Sequence, residues 1–408
     1  MMKIRQLAAL FLVGASTTTL VADTKKTETK NDAEPSHVKT GDLELRSADK
    51  TLSLQTLCLD NEGRLLGLVG MHKMMAPAPG KGKSEIHVVV DRKVVDVWKL
   101  DFHAQSINAG TDGTVFVAGS GIVARYDSKG KELSRLTLPH IAKALENSED
   151  LKKAAETQIK AQKQSFENSK KLITDRLEVL NKKKPEDLTP TEKTQKQQYE
   201  RIMESYKVSA QYYDQLSVES VVEQTLSRLK VINAIAASKK DLFIVTGETT
   251  GYGYAIWRTS HDFKEAKQII NGISGCCGQM DIQVAGDDLL IAENTKHRFA
   301  RYNRDGKNIG AYGKRATVSL GQESPADCFG GCCNPMNLRV NAQGTIFTAE
   351  SEGIIKKYSS EGEFICTVAK SPLSGGCKNV AVAVSKDEKM IFFCDQPGSK
   401  VQFLEMAK

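Results

Sequence analysis

Short apolar runs, separated by glycine and polar turns, dominate the chain from about residue 50 onward. The clearest unit comprises residues 336–340, 344–350, 353–358 and 362–368. Each segment is brief, is either alternating or continuously apolar, and stops at Gly or a polar pair. That is the pattern of four successive β-strands. The unit recurs around residues 64–68, 114–118, 242–245, 289–293 and 389–393. Six units of four strands, at a period of roughly 40 to 57 residues, predict six blades arranged radially around a central channel.

Residues 140–230 interrupt this period. Leu151, Ala155, Ile159, Phe166, Ile173, Leu177 and Leu180 step by three and four, which predicts a helix with one apolar seam. Pro185 stops it, and Thr189-Pro190-Thr191-Glu192 restarts it with an N-cap, a first-turn proline and a capping-box glutamate. A second seam runs through Tyr199, Ile202, Tyr206, Tyr213 and Leu216. Two helices of about 35 residues with matching seams predict a coiled-coil arm about 50 Å long. The three tyrosines belong in that seam, with their hydroxyls in water, or else present a partner-binding face. The fold class expected is therefore mainly β: a six-bladed β-propeller with an inserted antiparallel α-helical coiled-coil hairpin.

Residues 291–306 run Ile-Ala-Glu-Asn-Thr-Lys-His-Arg-Phe-Ala-Arg-Tyr-Asn-Arg-Asp-Gly. This segment resembles an NHL repeat, and residues 110–118 are similar to the strand that precedes one. The likeness extends from about residue 100 to the end, without the insert. It departs where Glu293 and Glu350 replace the usual Asp and Lys296 replaces the usual Asn. The Cys332-Cys333-Asn334-Pro335 turn resembles one in exported bacterial NHL-like proteins. The resemblance implies a six-bladed scaffold and a binding role. It names no reaction, because one fold hosts many functions.

The N-terminus changes the picture of the compartment. Lys3 and Arg5 precede an apolar run from Leu7 to Val13 and a small-residue exit at Val21-Ala22, the layout of a secretory signal peptide. Residues 23–49 are polar and read as a disordered linker. The organisation expected is a signal peptide (1–22), that linker (23–49), blades 1 and 2 (50–139), the insert (140–230) and blades 3 to 6 (231–408). An exported protein, periplasmic or extracellular, meets oxidising conditions in which disulfides persist. The formal charge of +7 over 408 residues forms no basic stripe, which excludes the usual nucleic-acid binder. After signal cleavage no transmembrane span is expected, and the partners expected are a protein or a small ligand at the propeller face.

Nine cysteines carry the candidate chemistry. The segment Gly275-Cys276-Cys277-Gly278-Gln279-Met280-Asp281-Ile282 returns as Gly331-Cys332-Cys333-Asn334-Pro335-Met336-Asn337-Leu338, and Cys377 keeps the second cysteine in a third copy. Each pair precedes an innermost strand, so the pairs lie on the face that also receives the insert. Adjacent α-carbons are 3.8 Å apart, short of the separation a relaxed disulfide requires. Two readings stay open. Bridges such as Cys328 to a member of the next turn, or Cys366 to Cys377, would staple the loops, and an oxidising compartment favours them. Alternatively Cys277, Cys333 and Cys377 converge as thiolate ligands for Cu(I) or Zn²⁺ and make a metal- or thiol-dependent enzyme or redox protein. Cys58 and Cys394 fall inside strands and read as inert core thiols.

Aligning Asn337 across the blades gives an inner ring of Thr56, Ser106, Asn233, Asp281, Asn337 and Ala381. Asp281, Asn233 and Asn337 form an oxygen-rich set that a hard cation such as Ca²⁺ could use, although a tight site normally carries more charge. The plainer reading is a wet channel mouth. Histidines show no metal-binding pair, and His103 is the one that precedes an innermost strand on the cysteine face.

Overall fold

The computed structural model describes residues 34–72, 82–138, 141, 144, 146–248, 253–276, 279–317, 324–374 and 380–407. Within these, the strands form six four-stranded antiparallel sheets. Five blades use consecutive strands, with Ser53–Leu59, Ser106–Ala109, Ile232–Ala237, Ile282–Ala285 and Asn337–Val340 innermost. The sixth runs Val382–Val384, Met390–Asp395 and Lys400–Met406, and His37–Glu44 completes it on the outside. Each innermost strand packs against the innermost strands of both neighbouring blades, which closes the ring. The six second strands coincide with the six apolar runs that defined the period.

Residues 37–44 correct the expectation of a disordered linker over 23–49. They pair antiparallel with Lys400–Met406 across nearly the whole chain length. Their side chains are mostly exposed, with His37 alone fully buried, so polarity is what an outer-edge strand requires. The backbone carries the attachment, and Leu45, 1% exposed, anchors the strand's end in the apolar layer between blades 6 and 1. Residues 1–33, including the expected signal peptide, lie outside the described residues.

Local chemistry explains the hairpins. In blade 4 the Asn303 carboxamide oxygen accepts from the backbone N–H of Asp305 and Lys307 at 3.1 and 2.8 Å. Gly306 then takes φ +87°, and a β-carbon there would lie 2.2 Å from the Ile269 carbonyl, so only glycine fits. Asp127 and Gly130 repeat the arrangement in blade 2. Between blades the core is dry. Phe243, Val245 and Ile256 of blade 3 pack on Leu289, Ile291 and Ala300 of blade 4, all nearly inaccessible.

Among the described residues the insert includes the helices α1 (Ser148–Asn181), α2 (Pro190–Asp214) and α3 (Val218–Leu229). Thr189 caps α2 in a complete capping box with Glu192 and Pro190 in the first turn, as the sequence predicts. α1 and α2 pack antiparallel. Phe166 meets the Tyr206 and Tyr213 rings at 5.4 and 4.5 Å, and Arg176 reaches the Tyr199 hydroxyl at 3.5 Å. The tyrosine stripe is thus a seam. The second helix is shorter than the expected 35 residues because Ser217 caps a new helix, α3, with its own capping box. α3, the segment before α1 and the first turn of α1 also belong to the ring: Leu229, Ile141 and Leu138 are buried with Phe116 and Ile244 of blades 2 and 3, and Leu151 packs against them. No described helix is long and apolar enough to cross a membrane.

The insert sits on a defined face. Gly121, in the turn between the second and third strands of blade 2, donates to the Lys230 carbonyl at 2.8 Å. Arg228 donates to the Glu248 carbonyl after the second strand of blade 3 at 3.0 Å. Antiparallel order places these turns on the same side as the loops leading into the innermost strands, and hence on the side of the cysteine turns.

Candidate functional site

The channel and the cysteine turns occupy the same face but form separate sites. Thr56, Ser106, Asn233, Asp281 and Asn337 all line the central cavity, as the repeat alignment predicts. Ala381 does not. It is buried in the apolar layer, and Val380 takes its place at the channel. The cavity is only about 20 Å³, room for water-sized occupants.

Asp281 is already engaged by donors. Its Oδ2 accepts from Asn337 Nδ2 at 2.7 Å, from the Leu338 N–H at 2.8 Å and from Arg339 Nη1 at 3.3 Å. Arg339 also donates to the Leu57 carbonyl across the channel at 2.9 Å. Asn337 uses its oxygen to accept from the Val382 N–H at 2.9 Å. A guanidinium beside the one ring carboxylate repels a cation and uses that carboxylate's charge. The Ca²⁺ reading of Asp281, Asn233 and Asn337 therefore lacks its charged ligand, and the ring locks blades 4, 5, 6 and 1 together. Single-position alignment missed Arg339 and Gln283. Period-two alternation carries the signal, since each lies two residues beyond a ring member, Asn337 or Asp281.

The acids that close the second strands are structural. Glu293 pairs with Lys296 at 2.8 Å and Arg298 at 2.5 Å. Burial pushes the Glu293 carboxyl up, but these two cations outweigh it and hold it below the ordinary range. Glu350 pairs with Lys356 at 2.5 Å, both almost fully buried. There burial wins and the Glu350 carboxyl is raised, with Lys356 opposing.

The cysteine turns are clamped by asparagines. Asn294 Oδ1 accepts from the Cys276 N–H at 2.9 Å, and its Nδ2 donates to the Gln279 carbonyl at 3.0 Å. Asn334 donates to the Gly330 carbonyl at 2.8 Å and accepts from the Ser351 N–H at 2.9 Å. Gly331 sits at φ +65°, a backbone conformation that side-chain-bearing residues rarely adopt. The result brings the two turns together: the Cys276, Cys332 and Cys333 sulfurs all lie within 4.8 Å of one another. The Cys332 and Cys333 sulfurs are 2.9 Å apart. Cys333 is buried, Cys276 half-buried and Cys332 exposed.

Of the expected Cys277, Cys333 and Cys377, Cys333 alone is described, and it belongs to this group. Cys277 and Cys377 lie outside the described residues. No disulfide joins any two of the seven described cysteines, so Cys328 does not bridge to Cys332 or Cys333. The other expected pairing, Cys366 with Cys377, involves a residue outside the described ones. Cys328 is buried, donates to Asp327 at 3.3 Å, and has its thiol pushed up by burial. Cys366 sits on the outermost strand of blade 5 and is likewise raised by burial. Cys58 and Cys394 are core thiols, and burial pushes Cys58 up to about 12.

His103 lies before the innermost strand of blade 2 and is 1% exposed. Neither ring nitrogen has a hydrogen-bond partner among the described residues. Burial, then the nearby His72, lower it from 6.5 to about 4, so it is neutral at physiological pH.

No family model matches the chain, and no curated protein matches it. Among solved structures it is similar to regucalcin from Agrobacterium tumefaciens strain C58, described as a calcium-binding protein, at 12% identity over 87% of this chain and 90% of that one, with a TM-score of 0.43.

Proposed function

We propose that this chain is an exported binding or scaffolding protein that holds a protein partner through the helical arm and the propeller face beside it. One observation carries the reading: the arm spends little of its surface on the ring. Of the 34 residues of α1 only Ala155, Phe166 and Leu180 are buried, and α2 buries none. Leu172, Val179, Val208 and Tyr212 stay exposed among charged neighbours. Two long ordered helices that contribute so little to the core are a costly addition unless something docks on them. An open groove where α1 passes the α2–α3 junction, lined by Ile159, Leu216 and Val218 with Lys160 and Glu156, offers apolar and charged contacts together. Aromatic and apolar groups ringed by mixed charge suit a protein surface. The small polar channel supports the same reading, because it is far below the several hundred Å³ of a ligand pocket. The NHL-like residues 291–306 and the signal-like N-terminus supply the binding and export parts.

Replacing residues 164–213 with a short Gly-Ser linker tests this. The linker joins α1 to the junction before α3 and leaves the α3 base intact. The ring is expected to melt within a few degrees of the parent, while crosslinked envelope partners recovered with the parent disappear. Leu172→Ser/Val208→Ser in the intact arm is expected to weaken the same contacts. Retention of every partner by both variants would sink the proposal.

A further inference from the structure

We infer that Cys276, Cys332 and Cys333 form a soft-metal site of the Cu(I) class at the propeller face. Two loops from adjacent blades, 56 positions apart in sequence, place three sulfurs within 4.8 Å of one another. That spacing lets one ion touch all three. The loops are held by their own asparagine clamps, so the sulfurs are positioned without the ion. The environment is one-sided. Cys333 and Cys276 back onto Met336, Phe347 and Ile355 in an apolar cluster, whereas Cys332 faces solvent and gives access. An apolar wall excludes hydrated hard cations, and thiolates select soft ones. Among the described residues the group contains three sulfurs and no carboxylate or imidazole. Three sulfurs suit a three-coordinate monovalent d¹⁰ ion, whereas Zn²⁺ in a structural site takes four ligands. Each thiol that coordinates gives up its proton to solvent, so affinity rises with pH. No electron is transferred. The inference does not rest on the partner-binding reading.

The test uses the full-length mature protein, purified under reducing, anaerobic conditions and titrated with Cu(I) against a colorimetric chelator. One Cu(I) per chain with sulfur-only coordination by X-ray absorption is the expected result. Cys332→Ser, at the exposed position, and Cys276→Ser should each weaken binding at least about 100-fold, more than the loss of an outer-shell partner. Cys366→Ser, on the outermost strand, should bind as the parent does. A circular-dichroism melt checks that each variant folds, and the exposed Cys332 keeps the test available if Cys276→Ser does not. Absence of stoichiometric copper, equal binding by the Cys332→Ser variant, or a four-sulfur Zn²⁺ complex held in preference to copper would overturn the assignment.

Discussion

The ring and the arm are folded on different terms. In the ring, apolar side chains from adjacent blades fill shared layers, and residues such as Phe243 and Phe393 are wholly inaccessible. In the arm, α1 and α2 meet along one seam and bury few of their residues. The ring therefore draws its stability from long-range burial, and the arm from helix caps, one aromatic seam and its α3 base. A defect in the first should be felt everywhere, and a defect in the second only locally.

The largest effect is expected at Phe243. Phe243→Ala empties a site between blades 3 and 4 and should cost about 3–5 kcal/mol, read from the midpoint of chemical denaturation. If the arm's helical signal melts with the ring in that variant, the arm depends on its base more than its exposure implies.

A second effect is pH-dependent and belongs to the ring. His103 binds its proton at about 4 when folded and at 6.5 when unfolded. Between those values the unfolded chain holds more protons, so stability falls as pH drops through that window and is fully present above it. His103→Gln should flatten the slope of melting temperature against pH between 6.5 and 4. An unchanged slope would place the titration elsewhere.

The smallest effect belongs to the arm. Thr189→Ala removes the α2 cap and should cost about 1 kcal/mol of local stability. Hydrogen exchange at the start of α2 should quicken while the ring's amides and the overall melt stay put. A matching fall in ring stability would erase the distinction between the two regions.

Much of the fold is legible from period alone. Strands buried on both faces, such as Asp241–Gly247 with seven buried residues, write their pattern directly into the sequence. So does the polar ring at Thr56, Ser106, Asn233, Asp281 and Asn337, because the repeat fixes which residue faces the channel. Residues 37–44 are illegible by the same logic, since an outer strand attaches through backbone hydrogen bonds that any residue makes. The Ser217 cap was visible as a residue type but hidden inside a continuing apolar seam.

The number of blades, the register of their innermost strands and the face that bears both cysteine turns and the insert are written in the chain. These follow from periodicity, which acts through neighbours along the chain. Three further matters emerge with the folded ring: that His37–Glu44 closes the sixth blade, that Arg339 satisfies Asp281, and that Cys276 joins Cys332 and Cys333. Each depends on where backbones from distant segments come to rest. Spacing along the chain carries no record of that.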